Sequence, residues 1–160
     1  MITHYTKSGK ETAALGRRFA KTLHGGEVVA FFGDLGAGKT TFIQGVIRGL
    51  GIKKVVTSPT FILMNVFLIK NKKSKIQNVV HIDCYRARSS NDIVGIGVLE
   101  YFNDPRSVVL IEWPEKITNI LPKRRIDIKI DFRKNDAREL KICDKTNTAT
   151  RKKSAKKPHA

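Results

Sequence analysis

The sequence predicts an α/β fold, a mixed sheet with flanking helices in a single domain. Three observations predict it. Short apolar runs of buried-strand length recur as "EVVAFF", "NVVHID" and "SVVLIEW". A helical stripe follows the first of these runs directly. The later runs come in pairs joined by short polar turns, so strand–helix units lead into antiparallel hairpins. A chain of 160 residues fits one domain, and at this size roughly 70% of the unfolded surface is buried, enough for a core without disulfides.

In chain order, Ser8-Gly9-Lys10-Glu11 has the spacing of a capping box, and Leu15, Phe19 and Leu23 then fall on one helical face. Gly25-Gly26 breaks the chain before the strand "EVVAFF". From Lys39 the pattern turns helical, with a stripe of Phe42, Ile43, Val46, Ile47 and Leu50 that ends at Gly49 and Gly51. "FILMNVFLI", residues 61–69, reads as a strand, and the polar "KNKKSK" turns it into "NVVHID". Residues 89–102 are helical or irregular. "SVVLIEW" is a further buried strand, and "RIDIKIDF" alternates cleanly before "RKND" leads to "ARELKIC". These elements place one domain at residues 1–143 and a basic, disordered tail at residues 144–160.

Composition narrows the function classes. No apolar run approaches the roughly 18 residues that a membrane span needs, and "MITHYTKSGKE" lacks the apolar stretch of a signal peptide. Cys84 and Cys143 have neither metal-ligand spacing nor a disulfide framework, which fits a reducing, cytoplasmic setting. The net charge is +17, and the final ten residues, with five basic and no acidic side chains, leave the rest at +12 without them. Such a surface attracts polyanions, nucleic acid first; its bland counterpart is a solvated, lysine-rich exterior with a tail.

Gly33-Asp34-Leu35-Gly36-Ala37-Gly38-Lys39-Thr40, followed by Thr41, fits the spacing G-x-x-x-x-G-K-[ST] of a phosphate-binding loop. Glycines let the backbone wrap close to phosphates with several N–H groups inward, and the following helix adds its positive N-terminal end. Lys39 is placed to reach the β and γ phosphates of a nucleotide, and the Thr40 hydroxyl to ligate Mg²⁺. The strand before and the helix after are both present, which makes a chance glycine-rich turn a poor account.

A P-loop site also needs an acid at the end of a neighbouring strand. Two are offered, Asp83 at the end of "NVVHID" and Glu112 at the end of "SVVLIE". One would hold Mg²⁺ and the other position the attacking water; spacing leaves the assignment open. In "TSPTF", Pro59 stiffens a turn and Thr60 offers a hydroxyl in the manner of switch threonines. His81 shares a sheet face with Asp83, either orienting water or sitting satisfied in the core. Trp113, the only tryptophan, reads on its own as packing.

Four ordered blocks, "GDLGAGKTTF", "SPTF", "HIDCYR" and "IEWPE", make the chain resemble the bacterial TsaE (YjeE) family of small ATPases in tRNA threonylcarbamoyladenosine synthesis. The resemblance covers about residues 8–143. It implies a P-loop NTPase-like fold that uses ATP and Mg²⁺, with Thr40 and Glu112 as metal ligands. It further implies Asp83 as the catalytic or water-orienting acid, Thr60 as a switch-like catalytic residue, and Trp113 and Glu115 beside the nucleotide. Arg138, opening the last strand, resembles a basic residue of the family. Cys84 stands where the family usually has leucine, and "ARSSNDIVGIG" carries fewer acids than is common there.

The function so implied is an ATPase required for N6-threonylcarbamoyladenosine modification beside the anticodon, acting with a TsaD–TsaB complex. On this reading it touches tRNA only indirectly, or weakly through the basic surface and tail. A small-molecule P-loop kinase is the alternative. It would need an arginine-bearing lid, for which Arg86 and Arg88 are the mid-chain candidates. A nucleic-acid-binding module holding ATP as a structural ligand is a third reading, motivated by the charge.

Overall fold

The computed structural model describes residues 1–146, and the expected tail from residue 147 onward lies outside the described residues. Seven strands form one mixed sheet. In chain order they are β1 (Ile2–Thr6), β2 (Val28–Phe32), β3 (Met64–Leu68), β4 (Asn78–Asp83), β5 (Ser107–Glu112), β6 (Ile126–Phe132) and β7 (Arg138–Asp144). Across the sheet the order is β1-β7-β6-β2-β5-β4-β3. The strands β6, β2, β5 and β4 run parallel, and β3 and β7 pair antiparallel with β4 and β6 as the expected hairpins. The helices are α1 (Gly9–Phe19), α2 (Lys39–Gly49), α3 (Ser90–Gly95) and α4 (Val98–Phe102).

Both faces of the central strands are covered, which is why these strands read as near-continuous apolar runs rather than as alternating ones. On one face Val29 and Phe31 of β2, Val79 of β4 and Leu110 of β5 pack under α1 and α2, against Leu15, Phe42, Ile43 and Ile47. On the other, Val28, Ile82, Val109 and Ile111 meet Ile93 of α3 and Val98 of α4. α1 lies backbone-close on α2: a Cβ on Gly45 would stand 2.1 Å from the carbonyl oxygen of Ala13, so no larger residue fits.

Local chemistry accounts for the element ends. The Ser8 side chain accepts from Glu11 N–H at 3.2 Å, and the Glu11 carboxylate accepts from Lys7 N–H at 2.8 Å, a capping box displaced by one residue on its return arm. Three features differ from the sequence expectation. β1 was not anticipated: Ile2 and Tyr5 are exposed on a sheet edge, so "ITHYT" shows no alternation, and only pairing with β7 reveals it as a strand. The strand expected over 61–69 starts at Met64, because Ile62 and Leu63 N–H both donate to Pro59 C=O and Leu63 turns left-handed at φ 64°. The stretch 89–102 splits into α3 and α4 at Gly97, with φ 84°. At the other end β7 runs through Asp144, and Lys145 N–H donates to Arg125 C=O at 2.9 Å.

Candidate nucleotide site

The end of β2 feeds the loop Gly33–Gly38, which feeds α2. Gly33 has φ 139°, and a Cβ there would come 2.2 Å from Ile130 C=O, so the loop must leave the sheet on a glycine. No side chain caps α2, leaving the N–H groups of its first turn to the loop. Lys39, opening α2, is 4% exposed and donates from Nζ to the carbonyls of Gly33 at 2.6 Å and Asp34 at 2.9 Å. Burial lowers its pKa from that of an ordinary lysine, against the opposing pull of Glu112, Glu115, Asp83 and Asp34. A desolvated ammonium whose hydrogen bonds go to two carbonyls and to no carboxylate is a donor that a polyphosphate can recruit.

The two strand-end acids stand side by side. β4 and β5 are parallel neighbours in a register that pairs Asp83 with Glu112. Both side chains fall on the α2 face, in step with His81 and Leu110 two residues earlier. Each acid has its own partners. Thr40 Oγ1 lies 2.9 Å from both oxygens of Glu112, and His81 Nε2 lies 2.9 Å from Glu112 Oε1. Asp83 Oδ2 accepts from the hydroxyls of Ser58 and of Thr60, the latter at 2.8 Å, while Oδ1 accepts from Tyr85 N–H at 2.9 Å. Ser58 and Thr60 are themselves 2.8 Å apart. His81 is fully buried, and its Nδ1 has no partner among the described residues.

Trp113 is half-buried, packed against the apolar cluster under α3 and α4 while also facing the loop. It follows Glu112 in a left-handed conformation at φ 57° and opens the short 3₁₀ turn Pro114–Ile117. A bulky residue at positive φ is uncommon and is held there by its surroundings. Its indole lies 4.0 Å from Lys39 Nζ, within cation–π range, and 5.0 Å from the Tyr85 ring. Together with Gly33, Asp34 and Glu115 it lines a cleft of about 550 Å³ beside the loop, whose far wall includes Asp127 and Asp131 of β6. Leu35, by contrast, is 74% exposed at the loop tip, and Thr41 points back toward Gly9 at the start of α1.

Three residues of the site were not singled out or were given little weight from sequence. Ser58 shares Asp83 with Thr60. Tyr85 stacks on Trp113. Arg138, buried at the start of β7, packs so close to the loop that a Cβ on Gly38 would be 3.0 Å from its Nε. Its guanidinium reaches Asp136 at 3.0 Å, and its Nε has no partner among the described residues. Ser58 and Tyr85 lie inside the blocks "SPTF" and "HIDCYR", but neither residue type announces by itself which side chain it will meet. Arg138 is 100 residues from the loop it abuts, so only the sheet order brings them together.

No group of three His, Cys, Asp or Glu side chains among the described residues forms a ready cation cage. Mg²⁺ does not require one, since it is usually held by one or two carboxylates together with substrate phosphates and water. A hydroxyl and a carboxylate meeting at Thr40 and Glu112, below a lysine and a ring of glycine amides, fit a small hard cation and a polyphosphate. Cys84 is no part of such chemistry. Burial first, then Asp83 and Glu115, push its thiol up to about 12, so it stays protonated.

Comparison with known proteins places this geometry. The family model described as "Threonylcarbamoyl adenosine biosynthesis protein TsaE" matches residues 6–140. A Haemophilus influenzae protein named tRNA threonylcarbamoyladenosine biosynthesis protein TsaE is 34% identical over 151 residues, covering 91% of this chain and 91% of its own. The Bacillus subtilis protein of that name is 37% identical over 135 residues, covering 84% of this chain and 80% of its own. The crystal structure of Bacillus subtilis YdiB superposes with a TM-score of 0.72 at 31% identity, covering 90% of this chain and 85% of that one. With its P-loop fold matched in structure and its sequence matched by the family model over residues 6–140, the chain belongs to the TsaE family.

Proposed function

We propose that this chain is the ATPase of a tRNA N6-threonylcarbamoyladenosine modification system in the cytoplasm, working with a TsaD–TsaB-like complex. One observation carries the reading: two acids side by side, each already committed to a different hydroxyl. Glu112 with Thr40 is the metal end, and Asp83 with Thr60 and Ser58 is the water end. Mg²⁺ would supply positive charge to offset that of the phosphates. Thr40 and Glu112 would hold it, with His81 fixing the carboxylate from behind. Lys39 turns from the carbonyls of Gly33 and Asp34 to the phosphates. Asp83 accepts the proton of the attacking water.

Asp83 Oδ2 is occupied by two hydroxyls from the loop that holds Pro59. While both hydroxyls donate to it, that oxygen is a poor acceptor for a water proton, so the chain hydrolyses ATP slowly by itself and moving the loop frees the acid. Phe61 and Ile62, 81% and 63% exposed on the same loop, give a partner protein an apolar hold on it. The kinase reading loses support at Arg86, whose guanidinium lies 4.3 Å from the Phe61 ring rather than at the P-loop. The names of the relatives point the same way, since they assign those proteins to threonylcarbamoyladenosine synthesis.

Reconstitution with a TsaD–TsaB complex, its tRNA and threonylcarbamoyl-adenylate tests the reading. Phosphate release is expected to rise at least roughly tenfold when the complex is added, a modest demand beside the roughly 10³- to 10⁵-fold by which partners accelerate P-loop hydrolases. Modified tRNA is expected to accumulate only with the chain present. Equal hydrolysis with and without the complex, and equal modification with and without the chain, would overturn it.

A further inference from the structure

The charge of this chain is unevenly placed. Between Asp34 and Asp83 the sequence has no acidic residue, yet besides Lys39 it carries Arg48, Lys53, Lys54, Lys70, Lys72, Lys73 and Lys75. In the β6–β7 hairpin most basic side chains have a carboxylate partner: Arg125 and Lys145 meet Asp127, Lys129 meets Asp131, and Arg133 and Lys141 meet Glu139. Among the described residues none of the six lysines from 53 to 75, nor Arg48, makes an ion pair. The stretch between Asp34 and Asp83 is thus a long acid-free run whose basic side chains have no carboxylate partner among the described residues.

The topology gathers that segment at the end of the molecule opposite the nucleotide site. α2 starts at the P-loop and ends 11 residues on, at Gly49, about 16 Å further along its axis. Lys53 and Lys54 follow. β3 runs against β4 from Met64, opposite Ile82 and hence near Asp83, to Leu68, opposite Asn78. The end of β3 and its turn thus lie far from the acids. Between these two segments runs a groove of about 960 Å³ with Ile52, Val66 and Phe67 on its walls and Lys53, Lys54 and Lys70 among its lining residues. Among the described residues no acid lines it, and Asn71 and Ser74 are its other polar side chains. Lys72 and Lys73 stand exposed on the adjoining turn.

We infer that this groove is an RNA-binding face that takes the phosphate backbone of tRNA on its lysine rim, with ribose and base surface against its apolar wall. Lysines are mobile point charges suited to sequence-independent contact with phosphates. They are depleted from protein–protein interfaces, which argues against an acidic protein as the occupant. The choice of tRNA among RNAs rests on the proposed function. Because the groove and the P-loop lie at opposite ends of α2, the chain holds tRNA and nucleotide together. The rim of the nucleotide site stays free for a protein complex.

The test is fluorescence anisotropy of a labelled tRNA titrated with the full chain over about 50 to 200 mM salt. One variant reverses the groove charge (Lys53→Glu, Lys54→Glu, Lys70→Glu and Lys72→Glu), a milder one places Gln at the same positions, and a third neutralises Lys152, Lys153, Lys156 and Lys157 with Gln. The groove variants are expected to bind Mg-ATP as the parent does, which certifies their fold. Losing four phosphate contacts is expected to flatten the slope of log affinity against log salt by about three and to weaken tRNA binding at low salt by at least roughly 30-fold. The tail variant is expected to lose far less. Unchanged affinity and slope in the folded groove variants, loss confined to the tail variant, or polyglutamate competing as well as tRNA would each overturn the assignment, the last by giving the groove to an acidic protein. Partner-stimulated hydrolysis is measured separately without tRNA, so failure there identifies the proposed function, and not the groove, as the error.

Discussion

Asp83→Asn is expected to bind Mg-ATP within about threefold of the parent and to lose roughly 10²- to 10⁴-fold in hydrolysis, the range for removing a positioned base. Asparagine keeps the shape of the side chain and can still accept from Tyr85 N–H. It has no charge with which to draw a proton, and its amide NH₂ cannot accept from Ser58 and Thr60 as Oδ2 does. Glu112→Gln is expected to fail differently. The Thr40 hydroxyl and His81 Nε2 both converge on the Glu112 carboxylate, so its loss strikes the metal end. The Mg²⁺ concentration for half-maximal nucleotide binding is expected to rise at least roughly tenfold. Nucleotide affinity measured against Mg²⁺, alongside single-turnover phosphate release, separates the two variants. If the phenotypes come out exchanged, the two acids have exchanged roles.

Lys39→Ala is expected to weaken ATP binding by at least roughly 100-fold, about 3 kcal/mol, the worth of one or two charge-assisted hydrogen bonds. No other ammonium opens α2, and the carbonyls it leaves at Gly33 and Asp34 would face the phosphates with like charge. Arg138 does not replace it, since its guanidinium is committed to Asp136. Equilibrium dialysis with radiolabelled ATP gives the affinity, and circular dichroism establishes that the variant is folded. Unchanged affinity in a folded Lys39→Ala protein would remove the P-loop from the account.

What was legible in the sequence is what is contiguous or periodic. The P-loop occupies consecutive positions, and β2, β4 and β5 are buried on both faces, so their apolar runs announce them. Their terminal acids followed from the rule that α/β sheets collect ligands at strand ends. The residues alone left Asp83 and Glu112 interchangeable, because the distinction lies in which hydroxyl each one meets. Thr40 is 72 positions from Glu112, and Ser58 is 25 from Asp83. Trp113 read as packing because an indole among apolar neighbours is usually that. At positive φ it keeps that packing and also brings its ring over Lys39. β1 escaped notice because most of its side chains are exposed, so nothing imposes an apolar alternation and only a partner's backbone marks it as a strand. The turn at Pro59 shortened β3 because that proline's carbonyl captures two successive N–H groups that a longer strand would have used.

The intrinsic fluorescence of Trp113 tests the central claim, a nucleotide held at the P-loop between Lys39 and the paired acids, most directly. The chain has one tryptophan, so the signal has a single source. Its ring is 4.0 Å from the Lys39 ammonium and 5.0 Å from the Tyr85 ring. Drawing Lys39 away to phosphates alters the charge against the indole, and charge near an indole shifts its emission. Titration with Mg-ATP, and separately with ADP, is expected to give a saturable change at one nucleotide per chain, present in Asp83→Asn and absent from Lys39→Ala. Emission that stays constant while dialysis shows nucleotide bound would place the nucleotide elsewhere and contradict the account.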